Sequence, residues 1–546
     1  MHSHTPLPNN VDELQALLRA QLASTQALQT SCDAFRHERD ALRRERDLIQ
    51  QSTQSRDAEI ARLKLLIEKL QRMLFGRKSE KLAHQIDQLE LELEELYIAR
   101  AQSERLLPAV PEPVEIAVKA PAPKRAWPES LHREILRHVP DAPCCPDCGG
   151  AWQTLGEDVS EVLEHVPATI KVIRHVRPKL ACTKCDTIAQ APAPSRPIAK
   201  GAAGPGLLAH IMVSKYLDHQ PIYRQCRIHA RQGLELAEST VGDWVGDVHA
   251  LLRPLNAALQ HYVLSADKLH ADDTPIAVLA PGTGKTKQAR LWTYVRDDRP
   301  AGVDQAPAVW FAYSENRQGI HPQTHLKDFA GILQADAYAG YDAIYASGKV
   351  IEAACWAHAR RKFHDIHVQH PSAITTQTLA QIAQLYQIEA TIRGSPADER
   401  QAIRQAQAKP LVEALHRYLV EQQARISRKS VTADAIGYVM NHWVALTRYL
   451  DDGRIEIDNN AAERSLRGIA LGRKNYLFLG SNAGGERAAT LYSLLETAKL
   501  NGMNPESYLR DVLTVIADYP VNRVAELLPW HVQAKQKRLS EEAASG

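Results

Sequence analysis

The chain has 546 residues, with 66 Lys and Arg against 64 Asp and Glu for a formal net charge of +2, and is 44% hydrophobic and 24% charged. At roughly 100–200 residues per domain this length predicts several domains, and the ordinary composition excludes a fibre or a wholly disordered chain. The near-neutral sum excludes a uniformly basic nucleic-acid coat, but not basic blocks offset by acidic ones.

No run reaches the ~18 apolar residues of a membrane span. The first residues lack the charged-then-apolar plan of a secretory signal. Eight cysteines are too few for a disulfide scaffold in a chain this long. A soluble, cytoplasmic protein with no membrane partner is expected.

Residues 11–74 keep one heptad phase. Thirteen of its nineteen a and d positions are apolar, among them Leu14, Leu28, Phe35, Leu42, Ile49, Ile60, Leu63, Ile67, Leu70 and Leu74. A 3.5-residue repeat held this long makes a supercoiled seam, so 1–106 is read as a coiled coil through which copies of the chain associate. A long solvated helix packed on its own protein is the alternative. Arg39, Arg46, Thr53 and Arg56 weaken the middle of the seam, and the phase breaks at Phe75-Gly76-Arg77-Lys78-Ser79-Glu80 before resuming at Ile86. Residues 86–104 carry six acids and one Arg. Prolines 108, 111, 113, 121, 123 and 128 then mark 107–128 as an extended linker.

Residues 129–190 form a small module with two cysteine knuckles, Cys145-Pro-Asp-Cys148 and Cys182-Thr-Lys-Cys185, 33 residues apart. Each knuckle aims two thiolates at one point, and the two together suit a single structural Zn2+ with no open coordination position. The gap exceeds that of a simple ribbon, and the β-branched stretch Thr169–Val176 would fill it with a hairpin. Cys144 is a possible ligand swap. Residues 170–200 hold seven Lys and Arg against one Asp, a surface suited to phosphate.

A linker and a helix-turn-helix-like segment are expected over 191–262. Pro221–Gln232 reads as a helix ended by Gly233. Ser239 or Thr240 would cap a second helix carrying Val241, Trp244, Val245 and Val248 on one stripe. Arg224, Arg227 and Arg231 add charge at helical spacing, though any αα-hairpin has this outline. Further on, Pro281-Gly-Thr-Gly-Lys-Thr286 imitates a phosphate loop. It lacks the required glycine at 279, which is Leu, and has strand-like sequence on both sides; the glycines better serve a hairpin tip.

Strand patterns recur at Lys268–Ala280, Arg290–Arg296, Ala308–Tyr313, Gly331–Ala335 and Val350–Trp356, with a helix around His325–Phe329. That order suits a ribonuclease H-like α/β core over 263–484, with a helical insertion at about 364–450 and a helical region at 485–546. Asp272 falls inside the first strand and Asp336 at the end of the fourth. A carboxylate among apolar strand residues is costly unless paired or bound to metal, and neighbouring carboxylates suit hard Mg2+ (or Mn2+). Glu463, in Asp458-Asn-Asn-Ala-Ala-Glu463, is the best third acid. Asp273 and Asp342 are near rivals, and Glu456 or Asp458 could replace Glu463. Arg464, Arg467, Arg473 and Lys474 follow as phosphate-holding candidates, and His358, Arg360 and Arg361 lie just past the fifth strand. The whole reads as a multidomain α+β protein.

These motifs carry a resemblance. Asp272-Asp-Thr-Pro, Asp336-Ala-Tyr-Ala-Gly-Tyr, Cys355-Trp-Ala-His-Ala-Arg-Arg-Lys-Phe363, Asp458-Asn-Asn-Ala-Ala-Glu-Arg, Gly472-Arg-Lys-Asn-Tyr, Leu74-Phe-Gly-Arg-Lys-Ser-Glu80, the knuckles and Leu527-Leu-Pro-Trp530 resemble the bacterial insertion-sequence-66 family of DDE transposases, in order along nearly the whole chain. The resemblance implies Asp272, Asp336 and Glu463 as a metal-binding triad. Where that family usually has Asp-Glu-Thr-Pro and Asp-Gly-Tyr, this chain has Asp273 and Ala337, both neighbours of the triad. Two divalent ions would then serve strand cleavage at the element ends and attack of the 3′-hydroxyl on target DNA. Double-stranded DNA is the expected partner, and accessory proteins of the same element are a further candidate. A DNA-binding regulator with a degenerate catalytic core, or a nuclease of the same fold, are the alternative functions.

Overall fold

The structure is a computed structural model that describes residues 61–62, 170, 172–175, 179–181, 188–190, 194–199 and 201–545. The chain divides into two compact units, residues 1–107 with 177–546, and residues 108–176. Of the second unit only 170 and 172–175 are described, exposed and outside helices and strands. The expected coiled coil (the helical pair 61–62 aside), the Pro-rich linker and Cys145, Cys148, Cys182 and Cys185 lie outside the described residues.

A short antiparallel hairpin, β1 (Lys179–Ala181) with β2 (Ile188–Gln190), precedes α1 (Pro205–Tyr216), α2 (Ile222–Arg231) and α3 (Glu238–Leu264). Gly233, at φ +85°, adopts the left-handed conformation that closes a helix C-terminus without a Cβ penalty. The second helix begins at Glu238 rather than behind a Ser239 or Thr240 cap. Ala237 is the last extended residue, and the Glu238 carboxylate sits at the positive end of the helix dipole. Val241, Trp244, Val245 and Val248 are all buried, as their shared stripe requires.

The sheet follows. β3 (Lys268–Ala280), β4 (Lys285–Arg296) and β5 (Ala308–Ser314) form an antiparallel meander, and β6 (Gly331–Gln334) and β7 (Val350–Ala353) add parallel to β3, giving the order β5-β4-β3-β6-β7. α4 (Ile320–His325) and α5 (Asp342–Ala346) connect these strands. β4 starts five residues earlier than Arg290 because Ala280 still pairs with Lys285, which leaves only 281–284 as the tip. Gly282 and Gly284 take φ of +80° and +62° there, so this segment is a turn between strands and no helix follows it. The first helix after the meander lies before, not at, Phe329, and β7 stops at Ala353 because Trp356 already opens a helix. Gly331 is obligatory: at φ +144°, a Cβ would lie 2.3 Å from the Asp267 carbonyl oxygen.

After β7 come α6 (Trp356–Gln369), α7 (Ala373–Ile392), α8 (Ala397–Ile403), α9 (Lys409–Arg425), α10 (Val431–Asn441) and α11 (Trp443–Thr447). They bury a second apolar core that includes Trp356, Phe363, Ile382, Leu415, Ile436 and Tyr449. Inside it Arg400 and Arg404 are buried on Glu456 and Glu389, with N–O distances of 2.8 and 2.7 Å. Four helices close the chain: α12 (Asn460–Gly472), α13 (Asn482–Leu500), α14 (Pro505–Val515) and α15 (Pro529–Ser545). α13 packs on the outer edge strand β5, where Ser493 Oγ accepts from Phe311 N at 2.8 Å and Thr497 Oγ1 from Val309 N at 3.1 Å. The helix thus satisfies the outward N–H groups of an edge that would otherwise recruit another strand. No described helix is long and apolar enough to cross a membrane.

Candidate active site

The parallel register that pairs His270 with Gln334 places Asp272 and Asp336 each two residues farther along adjacent chains, on the same side of the sheet. Glu463 comes from the first turn of α12, which packs across β3 and β4 and is fastened there by Thr293 Oγ1 to Ser465 Oγ at 2.8 Å. Burial pushes the Asp272 carboxyl well above the usual range, and the nearby Asp336 and Glu463 charges push it further. The Asp336 carboxyl is also raised, by burial, despite His358 and Arg317. The structure therefore brings the three acids into one electrostatic neighbourhood.

The rival acids are occupied elsewhere. Asp273 is clamped by Arg290 at 3.0 Å and Arg317 at 2.8 Å. Burial alone would raise Glu456, but Arg400 and Lys268 outweigh it and hold the carboxyl far below its ordinary value. Asp342 is exposed in the first turn of α5. Asp458 is buried and raised to about 6, by burial against the pull of Arg393, and its oxygens turn back to Asn460 N and Nδ2 at 3.3 and 3.0 Å. Glu463, by contrast, is among the charges that raise Asp272.

Three residues that sequence reasoning passed over build this site. Asn459 is fully buried; its Nδ2 donates to Ala271 O at 2.8 Å, its Oδ1 pairs with His270 Nδ1 at 3.1 Å, and its backbone N–H donates to Cys355 Sγ at 3.2 Å. One side chain thus ties the strand of Asp272 to the helix of Glu463, and its backbone ties both to the start of α6. Arg317, with its ring-stacked partner Tyr338 at 4.2 Å, reaches Asp273 and, at 3.5 Å, Asp336. Cys355 stands at the N-cap position of α6 with a buried thiol whose pKa is raised by burial and by Asp458 and Glu463, so it stays protonated. Asn459 lay inside a motif quoted for its glutamate; Arg317 sits in a loop with no pattern to mark it.

An all-oxygen donor set at Asp272, Asp336 and Glu463 fits a hard divalent cation. Asp336 Oδ1 is buried without a hydrogen-bond partner, an orphan acceptor of the kind a cation would satisfy. On the α6 side, Cys355 Sγ, a His358 ring nitrogen and a Glu463 oxygen lie within 4.8 Å of one another. His358 Nδ1 stands 3.9 Å from Glu463 Oε1, which places His358 at the site's margin.

The basic candidates separate into groups. Arg224, Arg227 and Arg231 are exposed on α2, with Arg224 and Arg227 each 5.7 Å from the Tyr223 ring. Arg361 is exposed on α6 and Arg360 half-buried. Arg464 and Arg467 are both half-buried on α12, and the Arg464 charge adds to that of Arg299 in holding the buried Asp297 carboxyl down. Arg473 donates to Pro275 O at 2.7 Å and Lys474 is exposed beside it.

Residues 200–487 match the family model described as the transposase IS66 family, and 493–530 match the IS66 C-terminal element. Residues 143–186 match the zinc-finger binding domain of transposase IS66, and 62–135 match a region described as transposase C of IS166 homeodomain. Among curated proteins, the chain is 40% identical over 491 residues to the uncharacterized protein y4hP of Sinorhizobium fredii (strain NBRC 101917 / NGR234), covering 86% of this chain and 88% of that one. It is 36% identical over 538 residues to y4qI of the same strain, covering 96% and 97%.

Proposed function

The chain belongs to the IS66 transposase family, and on that premise we propose that it cuts DNA at the ends of an insertion sequence and joins the freed 3′-hydroxyl to target DNA. The observation that supports this reading is that Asp336 and Glu463 both act on the buried Asp272 carboxyl and raise it, so that the three acids share one neighbourhood. The sheet order and its strand directions support a ribonuclease H-like core, with 364–450 as its helical insertion.

Asp272, Asp336 and Glu463 would hold Mg2+ or Mn2+, which when bound supplies an acidified water and charge neutralisation at the leaving oxygen. Arg317 holds Asp273 away from that role and steadies Asp336 from its far edge. Asn459 fixes the separation between the Asp272 strand and the Glu463 helix. Arg467, Lys474 and Arg361 line the approach and hold backbone phosphates, while α2 presents Arg224, Arg227 and Arg231 to a separate stretch of DNA. A Cys145, Cys148, Cys182 and Cys185 zinc site would stiffen the module ahead of these helices, and the heptad region would pair copies of the chain so that two ends can be held together.

The test is incubation of the full chain with plasmid carrying both element ends and Mg2+, read for nicked, excised and joined products. Wild type should give all three. Asp272→Asn should bind the ends and yield none. Undiminished cutting by Asp272→Asn would sink the triad, and cutting without joined products would reduce the chain to a nuclease.

A further inference from the structure

The turn after α12 exposes two adjacent large apolar side chains. Leu477 is 78% exposed and Phe478 45%, whereas the next residue, Leu479, is 6%. A lone exposed leucine is ordinary on any protein surface; two adjacent large apolar side chains on a fastened backbone need a reason.

The fastening is on both sides. Before the pair, Arg473 Nη1 donates to Pro275 O at 2.7 Å, and Tyr476 OH meets Tyr492 OH at 2.7 Å with Lys215 Nζ 5.2 Å from its ring. After the pair, Leu479 N donates to Ala277 O and Leu479 O accepts from Leu279 N, both at 2.8 Å. The hydrogen bonds of Arg473 and Leu479 are all made to β3, the strand that carries Asp272. The two side chains therefore project from a rigid support whose position is set by the active-site strand itself.

The surroundings are cationic. Lys474 is exposed three residues before Leu477, and the β3–β4 hairpin beside Leu479 carries exposed Lys285. This is the glycine-bearing segment that imitates a phosphate loop, and its lysine is left without a nucleotide to serve. A cationic rim selects a polyanion, and an apolar tip needs an apolar slot. Duplex DNA offers both, because its base stack can open at a step to admit Leu or Phe while the phosphates on either side meet lysines.

We propose that Leu477 and Phe478 form a wedge that enters the base stack of the bound duplex and unstacks one step near the cut. The position follows from the anchor. Ala277 lies five residues along β3 from Asp272, ~17 Å at ~3.3 Å per residue. At ~3.4 Å per base pair this is about five base pairs. The inference rests on Asp272 marking the reacting phosphodiester. Unstacking there would bend the duplex toward the acids and free the end for transfer.

The experiment uses the full chain and a duplex of the element's terminal sequence, with 2-aminopurine placed in turn at each of about ten positions beside the cut. Wild type should raise fluorescence several-fold at one position roughly five pairs from the cut. The exposed double substitution Leu477→Ser with Phe478→Ser should abolish that rise and slow cleavage at least ~10-fold, with the salt dependence of binding unchanged. A mismatch built into the duplex at the same step should restore its cleavage rate, which a merely misfolded variant would not allow. The proposal is overturned if no position brightens, if the variant keeps the rise, or if the variant loses self-association with its fluorescence profile intact, which would make the patch a contact between copies. Cleavage by wild type without any rise removes the wedge alone; a chain that neither binds nor cuts the duplex removes the transposase reading beneath it.

Discussion

Asn459→Ala removes a buried side chain that joins the strand of Asp272 to the N-terminus of the helix of Glu463. Two hydrogen bonds disappear, from Nδ2 to Ala271 O and between Oδ1 and His270 Nδ1. Burial, with help from Lys268, lowers His270 to about 4, so at pH 7 its ring is neutral and its Nδ1–H donates to Asn459 Oδ1. In the variant that N–H is stranded in the interior and the Ala271 carbonyl loses its donor. A buried group left unsatisfied costs roughly 1–3 kcal/mol, so the two together predict a loss of about 2–5 kcal/mol. The Asn459 N–H to Cys355 Sγ belongs to the backbone and survives, which limits the loss.

Activity should fall further than stability alone requires, because a ~1 Å displacement of a reacting group can cost ~100-fold. Urea unfolding followed by tryptophan fluorescence measures the first effect, and single-turnover end cleavage the second. Asn459→Asp is the informative control. It keeps the size and the acceptor for His270 but sets an oxygen against the Ala271 carbonyl, so it should be no more stable than the alanine variant at pH 7. If Asn459→Ala unfolds within ~0.5 kcal/mol of wild type, or if Asn459→Asp is indistinguishable from wild type, the tether is not what holds these elements in register.

Cys182→Ser should abolish binding of one Zn2+ per chain, measured by metal analysis after dialysis; an unchanged zinc content would refute the knuckle assignment. Replacing Arg224, Arg227 and Arg231 by Ala together should weaken DNA binding and reduce the slope of log K against log salt by ~0.9 for each phosphate no longer neutralised, up to about 2.7; an unaltered slope would show that α2 does not meet DNA. Glu456→Gln should cost up to about 3–5 kcal/mol at pH 7, since it leaves buried Arg400 to the more distant Glu389 carboxylate at 3.6 Å. The Glu456 carboxyl is held below its unfolded value, so its contribution is complete above pH ~4.3 and is lost as pH falls through the folded value. The gap between wild type and Glu456→Gln in urea should therefore narrow at pH 3; a constant gap would mean that packing, not charge, sets it. Asp272→Asn in chelator should raise the thermal midpoint, by ~2–4 °C for each kcal/mol of repulsion relieved, and a lower midpoint would show that Asp272 is structural.

The elements that sequence made legible are those whose pattern repeats. β3 runs over Lys268–Ala280 as its alternation indicates, and the Val241–Val248 stripe is buried. Boundaries set by tertiary partners were not legible. Val350–Trp356 reads as one apolar strand, but Trp356 N donates to Ile457 O and its indole to Leu446 O at 2.8 Å, so a partner about ninety residues away turns strand into helix. Asp272 and Asp273 are adjacent in sequence and equal in chemistry, and only the arrival of Arg290 and Arg317 from two other elements separates them.

That separation is the more general argument about the site. Around β3 the fold buries many carboxylates, and it treats most of them alike. Asp273, Asp297, Glu389 and Glu456 each receive a guanidinium within 3.0 Å. A buried acid paired in this way is electrically closed and has nothing to offer a ligand. Asp272 and Asp336 are left crowded, with only the outer edge of Arg317 at 3.5 Å from the second. A fold that supplies arginines so freely within a few residues of Asp272 could have neutralised it at little cost. Leaving the repulsion in place destabilises the chain by itself, and such unrelieved strain persists where function requires it. A divalent cation held by these oxygens would relieve it, which is the role the proposed function gives to the three acids.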